Sequence, residues 1–171
     1  MPGTPLPDAE QLLEALTHQM RPEVGPETGL IGIHTGGVWL AERLHRDLKI
    51  KIPLGTLDVS FYRDDYEKIG LHRDVKASDI PFEVEGRHLI LVDDVLYTGR
   101  TIRAAMNELF DYGRPASIRL AALVDRGGRE LPVAAQFLGA TITVASGHNI
   151  ELKRDSSGRL SLVLSEAPHV A

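Results

Sequence analysis

The stretch LILVDDVLYTGRT, residues 89–101, decides how the rest of the chain is read. Four apolar residues lead into two adjacent carboxylates, Asp93 and Asp94. A short polar loop with one glycine follows, and then Ile102, Ala105, Met106 and Leu109 recur at helical spacing. This is strand, turn, helix, with the acidic pair just outside the carboxyl end of the strand, where open α/β sheets bind their ligands. The same order recurs upstream. LIGIH (30–34) predicts a buried strand, TGG a turn, and Val38, Leu40, Ala41, Leu44 and Leu48 the apolar face of a helix. LGTLDVSFY (54–62) alternates as a strand through Leu57, Val59 and Phe61, and SIRLAALV (117–124) reads as another strand. Strands alternating with helices predict an α/β fold with a mainly parallel central sheet flanked by helices.

The ends differ from this middle. Residues 1–8 are Pro-rich and aperiodic, which predicts a flexible tail ending in a helix cap at Asp8. Residues 9–171 are expected to form a single domain, its first helix carrying Leu12, Leu13, Leu16 and Met20 on one face. Residues 62–81 are polar, charged and long for a connection, so a mobile lid is expected there. IELKR, DSSG and RLSLVL predict a C-terminal β-hairpin within 148–165.

With 171 residues and 43% apolar content the chain can bury one core. It has no cysteine, which excludes disulfides, thiolate nucleophiles and cysteine-bound zinc, and suggests a reducing, cytoplasmic setting. No secretory h-region or run of 18 apolar residues is present, so no membrane association is expected. The formal charge of −5 means that any RNA contact needs a local basic patch.

The acidic pair and the residues that follow it carry the chemistry. Amides at a helix N-terminus attract a phosphate, the hydroxyls of Thr98 and Thr101 add donors, and Gly99 lets backbone approach closely. Two carboxylates one step away suit vicinal hydroxyls, or a magnesium ion held with them. Together these features describe a sugar phosphate, while capping of the helix by Asp93 and Asp94 is the plainer reading. No GxxxxGK[ST] or GxGxxG is present, so the common nucleotide cradles do not apply. The histidines lack metal-site spacing.

Leu89–Thr101 resembles the signature of type I phosphoribosyltransferases. GIHTGGVWLAERL, LDVSFYRDD, DIPFEVEG and the run from LILVDDVLYTGRT to LVDRGGRELP are together similar to the bifunctional pyrimidine operon regulatory protein/uracil phosphoribosyltransferase family, over roughly Gly29 to Pro132. The resemblance implies the type I phosphoribosyltransferase fold with a small hood, and conversion of uracil and 5-phosphoribosyl 1-diphosphate (PRPP) to UMP and diphosphate. Magnesium would be carried in with PRPP, with no metal held by the protein alone. It also implies a homo-oligomer, dimer or higher, and in many members binding of pyrimidine-gene leader RNA. The alternative is therefore an RNA-binding attenuator that senses UMP or PRPP with little or no catalysis.

Roles carried over from the resemblance fall on particular residues. Asp93 and Asp94 would hold the ribose hydroxyls, and Val95, Leu96, Tyr97, Thr98, Gly99, Arg100 and Thr101 would wrap the 5′-phosphate. Thr35, Gly36 and Gly37 occupy the diphosphate loop, where many members carry arginine at the position of Gly36, so backbone amides would have to serve. Arg63 would meet diphosphate from the lid; pairing with Asp64 or Asp65 is the alternative. Tyr97 stands where enzymes acting on 6-oxopurines usually place an aspartate, which favours a pyrimidine. Arg126 would reach a uracil carbonyl or else pair with Asp125. A basic face from Arg43, Arg46, Lys49 and Lys51 is the best local support for RNA, and the uncharged Gly128, Val133, Ala134 and Ala135 weigh against it.

Overall fold

A computed structural model describes residues 5–59 and 78–166. Five parallel strands form the central sheet in the order β2-β1-β3-β4-β5: β1 is Thr28–Ile33, β2 Gly55–Leu57, β3 His88–Leu96, β4 Ser117–Asp125 and β5 Phe137–Thr141. Three α-helices lie among the described residues: α1 (Ala9–Met20), α2 (Gly36–Asp47) and α3 (Arg100–Leu109). The antiparallel pair β6 (His148–Arg154) and β7 (Leu160–Glu166) stands apart from the sheet. This is the α/β arrangement expected from the alternation.

Strand side chains alternate between two cores, as a pleated sheet covered on both faces requires. Leu30, Ile90, Val92, Ala121 and Leu123 pack with α1, α2 and the hairpin residues Ile150, Leu152, Leu160 and Leu162. Ile31, Ile33, Leu89, Leu91, Leu120 and Ala122 pack with Ile102, Ala105 and Leu109 of α3. The hairpin thus completes the α1–α2 side. It is also tied there by polar contacts: the Leu160 amide donates to Glu10, 2.9 Å, and Arg154 lies over the Trp39 ring, 4.7 Å from its centroid.

Several element boundaries depart from the sequence reading. β3 runs through Leu96, two residues past the acidic pair, because Val95 and Leu96 pair with Val124 and Asp125 of β4. β5 has no counterpart in the sequence reading. FLGAT becomes a strand by pairing with β4 and being covered by α1, with Gly139 close against Leu12. Asp8 caps α1 as expected, its side chain accepting from the Glu10 amide, 2.9 Å. Of the expected lid, residues 62–77 and with them Arg63 lie outside the described residues. Its end is described: Asp79 forms an antiparallel bridge with Thr56 of β2.

Candidate active site

Parallel strands point the same way, so the mouths of α2 and α3 open at the same carboxyl edge of the sheet. At the first mouth His34 donates its amide to Leu57, 2.9 Å, and the His34–Thr35 peptide is cis. Thr35 precedes α2 without a side-chain capping bond, and its carbonyl accepts from Val38, 3.2 Å. Gly36 and Gly37 are buried because α2 begins hard against β3. A Cβ on Gly37 would run into the Val92 carbonyl oxygen and lie 3.2 Å from the Asp93 Cα. A Cβ on Gly36 would run into the carboxylate of Asp94. The small residues therefore bring the first mouth directly onto the acidic pair.

Asp93 is 4% exposed and Asp94 half-buried, both still within β3. Asp93 Oδ1 accepts from the Asp94 amide, 2.9 Å, and Asp94 Oδ1 from the Val95 amide, 2.8 Å. These two bonds run to amides within β3 and not to α3. Gly99 is the N-cap, with φ 96°, a left-handed conformation that favours glycine. Thr98 is buried, and its hydroxyl oxygen accepts from the Arg100 amide, 3.2 Å, leaving the hydroxyl hydrogen to donate elsewhere. Thr101 follows in the first turn of α3, partly buried. Arg100 turns its Nε to Glu130 Oε1, 3.0 Å, in an exposed pair.

The connection from β4 to β5 closes over the second mouth. Three consecutive carbonyls accept from it: Leu96 from the Arg126 amide (3.0 Å), Tyr97 from Arg129 Nη1 (2.7 Å), and Thr98 from the amides of Glu130 (2.9 Å) and Leu131 (3.0 Å). In a trans peptide the amide points opposite to the carbonyl, so the Thr98 and Gly99 amides are turned away from this connection. Tyr97 is 47% exposed, with Arg126 stacked on its ring at 4.0 Å from the centroid and Gly128 against the ring edge. Arg126 does not pair with Asp125. Its Nη1 donates to Asn149 Oδ1, 3.0 Å, and its Nη2 to the His148 carbonyl, 3.4 Å, both in β6. Asp125 is taken instead by Arg129, whose Nη2 donates to Oδ2 at 2.5 Å, while the Gly127 amide donates to Oδ1 at 2.9 Å. The hydrogen bond from Arg129, aided by that from Gly127 and opposed by burial, holds the Asp125 carboxyl below the ordinary range.

The basic run on α2 is less basic than its sequence. Arg43 makes a two-pronged pair with Glu10 of α1, at 2.6 and 3.2 Å, and Arg46 pairs with Asp47 at 3.1 Å. They line a cavity of about 1010 Å³ between α1 and α2, with Glu14, His18, Arg21 and Lys49 on its walls. Opposed charges share this surface, so it forms no continuous basic face. Among the described residues no group of three or more His, Cys, Asp or Glu could hold a metal ion, and no helix is long and apolar enough to cross a membrane.

Of the residues singled out in the sequence, the structure brings Gly36 and Gly37 against Asp94 and Asp93, and places 97–101 at the start of α3. Arg129 lies in LVDRGGRELP, part of the stretch that carries the family resemblance, but its ties to Tyr97, Val133 and Asp125 appear only in three dimensions.

Known proteins share this architecture and sequence. The phosphoribosyl transferase domain family matches residues 6–149. The chain is 54% identical over 143 residues to a protein named Bifunctional protein PyrR from Pseudomonas entomophila, covering 84% of this chain and 83% of that one. It is 52% identical over 143 residues to a protein of the same name from Nitrosococcus oceani, covering 82% and 81%. A solved hypoxanthine phosphoribosyl transferase from Trypanosoma cruzi superposes with a TM-score of 0.67 over 95% of this chain and 91% of its own, at 22% identity, a likeness of fold. Measured against these relatives, the acidic pair and the two glycine-bearing mouths lie inside the matched region, and the chain belongs to the phosphoribosyl transferase domain family, in the group of Bifunctional protein PyrR.

Proposed function

We infer that this chain is a uracil phosphoribosyltransferase, converting uracil and PRPP to UMP and diphosphate, of the bifunctional type that also regulates pyrimidine genes. The observation that carries the reading is the contact of the first mouth with the acidic pair, which leads along β3 into the second: the space a Gly36 side chain would need is filled by the Asp94 carboxylate. A ligand held at both mouths must carry an anion at each end and hydroxyls between them, which is the layout of PRPP.

Asp93 and Asp94 accept from the 2′- and 3′-hydroxyls of the ribose and fix its orientation. The amides of Thr98 and Gly99 with the Thr98 and Thr101 hydroxyls hold the 5′-phosphate, and Thr35–Gly37 offer backbone to the diphosphate. The bond from the anomeric carbon to diphosphate breaks as uracil N1 bonds to that carbon, the N1 proton leaving to solvent. Donors held on the departing oxygens before they gain charge lower the barrier without reorganising during the reaction. Magnesium fits this site as an ion carried with PRPP: two hard carboxylates suit it, and when bound it neutralises charge on the diphosphate oxygens. Tyr97, stacked on Arg126, lies on the base side and offers no carboxylate to a purine N7. Arg63, at the start of the segment before Asp79, is assigned to diphosphate by the family pattern. A phosphorylated sugar does not cross a membrane unaided, so the reaction belongs in the cytoplasm. Self-association as a dimer or larger assembly completes the reading, and sedimentation equilibrium checks it.

The test is diphosphate release and formation of the matching nucleotide from PRPP and magnesium with uracil, hypoxanthine, adenine or orotate as the base. Product with uracil alone is expected; product with another base, or none with any, overturns the assignment. For the regulatory half, pyrimidine-gene leader RNA should bind with steep salt dependence and more tightly with UMP, and no binding at low salt overturns it.

A further inference from the structure

We propose that Arg129 is a positioning residue for the reaction: it aims the turn at residues 97–99, and with it the Thr98 amide, at the 5′-phosphate. The proposal rests on the phosphoribosyltransferase reading of that turn. One guanidinium ties three separate pieces of backbone and side chain. Its Nη1 donates to the Tyr97 carbonyl (2.7 Å), its Nε to the Val133 carbonyl (2.8 Å), and its Nη2 to Asp125 at the end of β4. Val133 also backs the turn from the other side, since a Cβ on Gly99 would lie 3.2 Å from its Cγ2. Arg129 therefore holds both the peptide whose amide belongs to Thr98 and the residue that packs behind Gly99.

The need for such a tie follows from the turn itself. α3 begins with no side-chain capping bond at Gly99, and a left-handed glycine restrains the backbone poorly. A phosphate cradle made of amides works only if those amides are fixed before the ligand arrives. A planar fork with donors on several edges can span three acceptors, whereas a lysine ammonium on a flexible stem cannot hold all three in this layout. Asp125 is half-buried and ion-paired, so it keeps the fork in register.

The test is Arg129→Lys, which keeps the charge and removes the fork. Backbone amide exchange by NMR without ligand reads the turn directly, and UMP titration reads the site. Exchange at Thr98 and Gly99 should rise about tenfold, UMP affinity should fall about tenfold, and the KM for PRPP should rise while kcat at saturation stays within about twofold. Asp125→Asn, which loosens the same guanidinium without removing it, should move all three the same way by less. Unchanged exchange at these amides in the folded Arg129→Lys protein overturns the proposal alone. Raised exchange in the variant, with a wild-type protein that binds no UMP, overturns the phosphoribosyl reading and the proposal with it. A fall in melting temperature with exchange raised evenly across the sheet would make Arg129 a general structural residue and would also overturn it.

Discussion

The mouths of α2 and α3 are the same motif built in opposite ways. Both follow a parallel strand, and in both helices the N-cap residue itself makes no side-chain capping bond. The first is shaped by what is missing: Gly36 and Gly37 have no side chains, and α2 sinks onto Val92, Asp93 and Asp94. The second is shaped by what is added: three consecutive carbonyls and the Thr98 hydroxyl are held by hydrogen bonds, most of them from one connection. A mouth made by close packing tolerates no added atom, and one made by hydrogen bonds tolerates change in steps. That difference predicts how each fails.

The largest effect is expected at the meeting point. Asp93→Asn with Asp94→Asn removes two charged acceptors for the ribose hydroxyls, each worth about 1.5–3 kcal/mol, so kcat/KM for PRPP should fall on the order of 100-fold or more. The amide-accepting oxygen survives in each asparagine, and the urea midpoint should hardly move. A folded double variant with unchanged kcat/KM would show that the acidic pair does not hold ribose.

Next comes Gly37→Ala, where the obstacle is backbone of β3 and cannot swing aside. Overpacking of this kind costs about 1–3 kcal/mol, read as a lower urea midpoint, with loss of activity alongside. Gly36→Ala sharpens the contrast, because its obstacle is the end of the Asp94 side chain. Stability should stay within about 1 kcal/mol of wild type, since a rotamer change of Asp94 relieves the contact, yet the KM for PRPP should rise about tenfold as that carboxylate leaves its place. Equal stability losses at 36 and 37 would break the account of this mouth.

How far these features were legible depends on the range of the interactions behind them. β3, its acidic pair and the start of α3 are written in local periodicity, so LILVDDVLYTGRT suffices to find them. The hairpin is equally local: DSSG turns the chain at Asp155, whose side chain accepts from Ser157 and Arg159. β5 was illegible because FLGAT has a weak strand pattern of its own and owes its state to β4 beside it and α1 above it. Asp125 pairs with Arg129, four residues on, rather than with the adjacent Arg126, because Arg126, just past the end of β4, is drawn to β6 and the Tyr97 ring. The Gly36–Asp94 contact joins residues 58 positions apart in sequence and is visible only in three dimensions.

The smallest effect concerns acid. The Asp125 carboxyl is held below its ordinary value of 3.8 by the Arg129 hydrogen bond. A depressed folded-state pKa contributes stability that is present above the unfolded value and lost as pH falls through the folded one. Between pH 5 and 7 the urea midpoint should therefore be insensitive to this group, and below about 4 it should fall. In Asp125→Asn that part of the acid-induced fall should be absent; an identical pH dependence in both proteins would show the pair to be without consequence for stability.

The most direct test of the central claim, that the two mouths form one PRPP site, is amide exchange by NMR with PRPP and magnesium and, separately, with UMP. PRPP should protect amides at both 35–38 and 97–101, whereas UMP, which lacks the diphosphate, should protect 97–101 and leave 35–38 nearly unchanged. Protection by PRPP at one mouth only, or equal protection of both by UMP, would contradict it.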